Sequence, residues 1–263
     1  MNNANLLISP AINVIVTGLF AGTILRLYMR RHRVYQLYWS IALSMAFLAT
    51  LAYVLMIVVQ PASGAGIVFF RIYYILGAAL MPAWLGLGSI ALVGKERLKR
   101  VCLILLCFLS LMDSAFIFAA VVNTRRLSHI AGTPGTGILQ PDVWLGTTII
   151  LNSLGVVAVV AVAIYSAWKL IRHQSSIAGM NTLNLLWGNV LILIGALLDA
   201  AAGSLARFLG LQSTFWLVMA VGWIVFFCGV MLTGRRSSSR KAAEAQSAHA
   251  SEVARQEKQV TSS

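Results

Sequence analysis

The sequence predicts an all-α membrane protein: a seven-transmembrane-helix bundle with its N-terminus outside and its C-terminus in the cytoplasm. Three observations predict it. The 263-residue chain is 59% hydrophobic and only 10% charged, it contains seven apolar runs of spanning length, and its Lys and Arg are distributed unevenly among the connections. Soluble domains carry charge on about a quarter of their residues, so a mean hydropathy of +0.85 calls for lipid around the chain.

A bilayer core of about 30 Å needs roughly 20 apolar helical residues. Runs over residues 6–29, 36–59, 67–93, 101–122, 145–168, 183–208 and 215–233 meet that demand. Transmembrane strands would alternate apolar and polar residues over about ten positions, whereas these runs are continuously apolar. No basic region precedes the first run, so it does not read as a cleaved signal peptide. Arg30, Arg31 and Arg33 follow it and hold its C-terminal end inside.

Positive residues concentrate on cytoplasmic loops. With the N-terminus outside, sixteen of the twenty Lys and Arg fall in inner segments, and only Arg71, Arg125, Arg126 and Arg207 fall on the outer side or in outer halves of helices. Residues 1–234 form the expected transmembrane domain. Residues 235–263, rich in Arg, Ser, Ala, Lys and Gln, form a basic, polar cytoplasmic tail expected to be disordered. The longest outer connection, 123–144, holds Pro134, Pro141 and three glycines and reads as an irregular loop covering an outward-facing cavity.

The net charge of +13 does not imply nucleic acid, because the basic residues sit between apolar runs and form no exposed basic domain. Cys102, Cys107 and Cys228 all lie in apolar stretches, which argues against a disulfide framework or a zinc site. All five lysines lie in inner loops, inner helix ends or the tail, so no retinal Schiff base forms within the bundle. The four histidines lie outside the helical cores, which excludes bis-histidine haem ligation there. There is no HExxH, GxSxG or GxxxxGK[ST]. Asp113 in LMDSA and Asp199 in LLDAA lack the motifs of intramembrane aspartyl proteases. No catalytic residue, metal or cofactor is expected.

Ionisable groups at a helix centre cost about 2.5 to 3.5 kcal/mol each on insertion scales, so Arg71, Asp113 and Asp199 need a reason. At about 1.5 Å rise per residue both aspartates sit at similar depth, some 13 Å from the outer ends of their helices, and the long Arg71 side chain reaches towards them. The expectation is one intramembrane polar cluster of Arg71, Asp113, Asp199, Tyr74, Ser110 and Asn152, with Asn13 and Thr17 at comparable levels. On the sixth helix Asn181, Asn184, Gly188, Ile192, Gly195, Asp199 and Ala202 share one stripe. Two readings of the cluster stay open: a clamp across three helices, or a ligand or ion site. Pro82 falls inside the third helix near Gly86 and Gly88 and is expected to bend it.

Helices one to three and five to seven run in the same direction, so a parallel duplication with the fourth as inverting linker is allowed. FRIYYILG at 70–77 and FWLVMAVG at 215–222 share their end residues and apolar pattern. The stretch RIYYILGAALMPAWLGLGSIALV, 71–93, resembles a pattern in uncharacterised bacterial seven-helix membrane proteins. The overall layout is similar to the seven-helix sensor modules that precede bacterial signalling domains, although no output domain follows here. The resemblance implies a bacterial plasma membrane and a seven-helix bundle, and carries over no catalytic residue.

The expected function is that of a multi-pass membrane protein without enzymatic chemistry, sensor-like or accessory, in contact with the lipid bilayer and binding a small ligand in an outward-facing cavity or partner helices. A small-solute or ion transporter with a 3+1+3 parallel repeat is the alternative.

Overall fold

A computed structural model describes residues 3–172 and 182–234; the expected disordered tail and Asn181 lie outside the described residues. Seven helices are long and apolar enough to cross a membrane: α1 (Asn3–Arg31), α2 (Val34–Val58), α3 (Gly64–Val93), α4 (Glu96–Ala119), α5 (Val143–Arg172), α6 (Thr182–Phe208) and α7 (Phe215–Gly234). The described residues contain no strand, only an isolated bridge between Val122 and Leu139.

Local chemistry sets the ends. Ser63 caps α3 by accepting from the Gly66 amide at 3.0 Å. The chain leaves α3 at Gly94 in extended geometry. It re-enters helix at Glu96, five residues earlier than the apolar run at 101 suggested, because ERLKR is itself helix-forming and Lys99 pairs with Glu96 at 2.8 Å. That is the one ion pair among the described residues.

Packing runs α1–α2–α3–α5–α6–α7 and returns from α7 to α1, while α4 lies outside this ring against α3 and α5. The position of α4 follows from its sequence. Its apolar residues lie on every side, and Ile104 and Leu111 remain 71% and 74% exposed, as suits a peripheral helix with lipid on its outer face. The ring order is also the one a parallel duplication with α4 as linker would produce.

Two interfaces depend on glycine because backbone meets backbone. Between α3 and α5, a Cβ on Gly86 would lie 2.8 Å from the Gly155 Cα, and one on Gly155 would run into the Pro82 carbonyl and come 2.7 Å from the Ala83 nitrogen. Between α6 and α7, a Cβ on Gly195 would lie 2.6 Å from the Phe226 nitrogen, and one on Gly229 2.7 Å from the Ile192 nitrogen. The α6 stripe of Gly188, Ile192, Gly195 and Asp199 is therefore turned against α7.

Next to Pro82, where a bend was expected, the helix carries a specific irregularity. Residues Tyr74–Leu80 adopt π-helical geometry, and the Met81 amide donates five residues back to the Leu76 carbonyl. Pro82 has no amide hydrogen, so the Ala78 carbonyl loses its ordinary α-helical donor four residues on. Asn152 of α5 supplies that donor from its side-chain Nδ2. One turn further along α5, Gly155 gives the Pro82 backbone room to approach. Wider turns of this kind recur at functional sites.

Candidate functional site at the outer end

The end of the bundle that the charge distribution places outside holds the segment 120–142. It is a folded cap, not an irregular loop. The Asn123 amide donates to the Ile138 carbonyl at 2.9 Å and the Gln140 amide to the Val121 carbonyl at 3.0 Å, closing the segment into a narrow antiparallel ribbon. Between them the helical turn Thr124–Leu127 is capped by Asn123 Oδ1, which accepts from the Arg126 amide at 3.0 Å. Gly135 and Gly137 take φ of +77° and +79°, conformations that favour glycine.

Aromatic residues of the bundle hold this cap down. Tyr53 of α2 shares its single hydroxyl proton between the carbonyls of Ile130 (3.0 Å) and Thr133 (2.8 Å), and Tyr73 of α3 donates to that of Pro134 at 3.1 Å. Leu127, Ile130, Ile138 and Leu139 are buried in one cluster with Phe70, Trp144 and Trp216. These apolar side chains pack at the end of the bundle where a cavity running inward was expected.

The expected Arg71–aspartate pairing does not form. Arg71 donates through Nη2 to the Ala120 carbonyl at 3.2 Å and lies 4.9 Å from the centre of the Phe118 ring. The physical reason is local: α4 ends at Ala119, its last carbonyls lack helical donors, and a guanidinium is well suited to a helix C-terminus. Arg71 therefore caps α4 instead of reaching inward.

Nor do the two aspartates share one cluster. Asp113 is fully buried between α4 and α5, where its carboxylate accepts from Thr147 Oγ1 and, at 3.0 Å, from Thr148 Oγ1. Two hydroxyls supply what a cation was expected to supply. Asp199 faces α7 instead, with Oδ1 against Gly222 and without a hydrogen-bond partner. Similar depth placed them together in the sequence, but helix rotation separates them into two interfaces.

Of the remaining candidates, Tyr74 is buried, its hydroxyl 3.4 Å from Arg207 Nη1 and its ring edge-on to Trp144. Arg207 of α6 also has its Cζ 6.0 Å from the Trp144 ring centre. Ser110 is buried one turn from Asp113, its hydroxyl without a partner. Asn152 serves the Ala78 carbonyl. Asn13 ties α1 to α7 by donating to the Trp216 carbonyl at 2.8 Å, and Thr17 faces Thr50 of α2 at 3.4 Å between oxygens.

Thr147, Thr148 and Arg207 were missed as site residues. The signal for the threonines was available: consecutive hydroxyls one turn before Asn152, at the depth where a buried carboxylate needs donors.

The cap borders a cavity of about 620 Å³ lined by Asn123, Arg125, Arg126, His129, Thr136 and Gln212, among others. Arg126 Nη1 donates to the Gly137 carbonyl at 3.1 Å, which fixes its guanidinium at the rim. Among the described residues no cluster of His, Cys, Asp and Glu has the makings of a metal site, and Cys102, Cys107 and Cys228 are unbridged. Compared with protein-family models, curated proteins and solved structures, the chain matches none, so the resemblance over 71–93 gains no support from them.

Proposed function

We propose that the chain is a non-enzymatic, multi-pass protein of a bacterial plasma membrane, N-terminus outside and tail inside, of the sensor or accessory kind, and that its capped outer end is its receiving surface. One observation carries this reading: the segment 120–142 is a built structure, latched by Tyr53 and Tyr73 and plugged by Leu127, Ile130, Ile138 and Leu139. A connection that only joined two spans would need none of this; a surface that receives a ligand or partner needs a defined shape. The cap is bonded to Tyr73, the residue immediately before the π-helical part of α3, which gives an outer event a mechanical route into the bundle.

The transporter reading with a 3+1+3 repeat keeps two observations in its favour, the ring order of the helices and the buried Asp113 with its two threonine hydroxyls. Reconstitution separates them. In sealed liposomes carrying a sodium or proton gradient, the protein is expected to leave the rate of gradient decay at that of empty liposomes. A faster decay that Asp113→Asn abolishes would assign the protein to transport instead.

A further inference from the structure

Several carbonyls of the cap are committed to the bundle. The carbonyls of Ile130, Thr133 and Pro134 all accept hydrogen bonds from Tyr53 or Tyr73 on the bundle side. Those acceptors are turned down and occupied. The cavity of about 620 Å³ that the cap borders is lined by Arg125, Arg126 and His129, with Thr136 and Gln212 beside them, and no carboxylate of the described residues lines it. Asp142 is the one acidic residue in 120–142, and its Oδ1 accepts from the adjacent Val143 amide, at the start of α5.

Two arginines at an outer end run against the usual preference for basic residues inside, and neither is neutralised: the single ion pair among the described residues is Lys99–Glu96, on a different connection. Arg126 is held by the Gly137 carbonyl through one nitrogen, which leaves the rest of its guanidinium fork for a ligand. Gly137 suits that contact through its φ of +79°, which favours glycine. The turn bearing both arginines is fixed by the Asn123 cap. The result is a cationic groove in which Arg126 is anchored by one contact, with hydroxyl and amide groups at its edge, a setting matched to planar or tetrahedral oxyanions.

From this geometry we infer that the groove binds a small anion presenting carboxylate or phosphate oxygens, with Arg125 and Arg126 as its charged contacts and His129, Thr136 and Gln212 as further polar contacts. The site rests on the reading of the capped end as the receiving surface, and names what it receives. The oxyanion comes either from a soluble metabolite or from an anionic lipid headgroup at the membrane surface.

The test uses the purified full chain in neutral detergent, titrated calorimetrically with citrate and with inorganic phosphate. Lipid is tested by exchange into nanodiscs of phosphatidylcholine with or without phosphatidylglycerol, followed by mass spectrometry of retained lipid. Arg125→Gln is the informative variant, because Arg125 is exposed and removing it leaves the Arg126–Gly137 contact in place. Saturable binding of either soluble probe, weakened about ten- to a hundredfold in Arg125→Gln, establishes a soluble ligand. Stoichiometric retention of phosphatidylglycerol that Arg125→Gln abolishes establishes the headgroup. No saturable binding of any probe, or binding that Arg125→Gln leaves unchanged, overturns the site. Binding in detergent does not depend on orientation, so a groove that binds at an end facing the cytoplasm would refute the receiving-surface reading and spare the groove.

Discussion

Gly155→Leu is expected to yield no folded bundle, and Gly155→Ala to lose about 3 kcal/mol, at the upper end of the range for overpacked cores. The added carbon would meet the Pro82 carbonyl and the Ala83 nitrogen. Backbone atoms in a helix have nowhere to move unless α3 and α5 separate, and separation also draws Asn152 away from the Ala78 carbonyl. The two contacts can be told apart. Asn152→Leu alone is expected to cost about 1–2 kcal/mol, because the half-buried Ala78 carbonyl loses the side-chain donor. In a Pro82→Ala background the main-chain amide is restored, and the same substitution should cost about 1 kcal/mol less. Unfolding in mixed micelles measures all four corners of that cycle. Equal costs in both backgrounds would mean that Asn152 does not substitute for the missing amide of Pro82.

Asp199→Ala is expected to raise stability by about 1–3 kcal/mol, since it removes a buried carboxylate oxygen that has no hydrogen-bond partner. Its neighbour behaves oppositely. Gly195→Val forces a side chain onto the Phe226 nitrogen and the Gly222 carbonyl and should destabilise by about 3 kcal/mol or more. Thermal unfolding of the two variants in one detergent is the comparison. A loss of stability in Asp199→Ala would mean that the carboxylate contributes a bond to the α6–α7 interface. A gain accompanied by loss of cellular function would mark Asp199 as retained for use against the interest of stability.

The seven helices were legible because continuous apolar runs of about twenty residues have one common explanation. The start of α4 was less so: ERLKR looks like a connection by charge yet extends α4 by more than a turn, since helix propensity and hydropathy are different quantities. Pro82 marked a disturbance in α3, but its cure by Asn152 and Gly155 involves residues some seventy positions away and leaves no local trace.

The expected cluster of Arg71, Asp113 and Asp199 shows what depth alone omits. Rise per residue gives height along a helix, whereas partners are chosen by rotation about it. Arg71 finds the frayed end of α4, Asp113 finds two threonines, and Asp199 finds Gly222. Polar residues in membrane helices often serve as links between helices, and Asn13, Thr17 and Asn152 do so here. The cap was hidden for another reason. Its glycines and prolines signal irregular chain, and the apolar residues that plug the mouth, Leu127, Ile130, Ile138 and Leu139, follow no helical or strand period.

The measurement that bears most directly on this account is labelling of single cysteines in intact cells with a membrane-impermeant maleimide, in a chain lacking Cys102, Cys107 and Cys228. Ser128→Cys, at an exposed position on the cap, is expected to label from outside, whereas Ile130→Cys, at a position 1% exposed beneath it, is expected to stay protected until Tyr53→Phe and Tyr73→Phe release the latch. Labelling of Ile130→Cys as fast as Ser128→Cys in the parent chain would contradict a folded cap, and protection of Ser128→Cys until the cells are lysed would place the capped end in the cytoplasm.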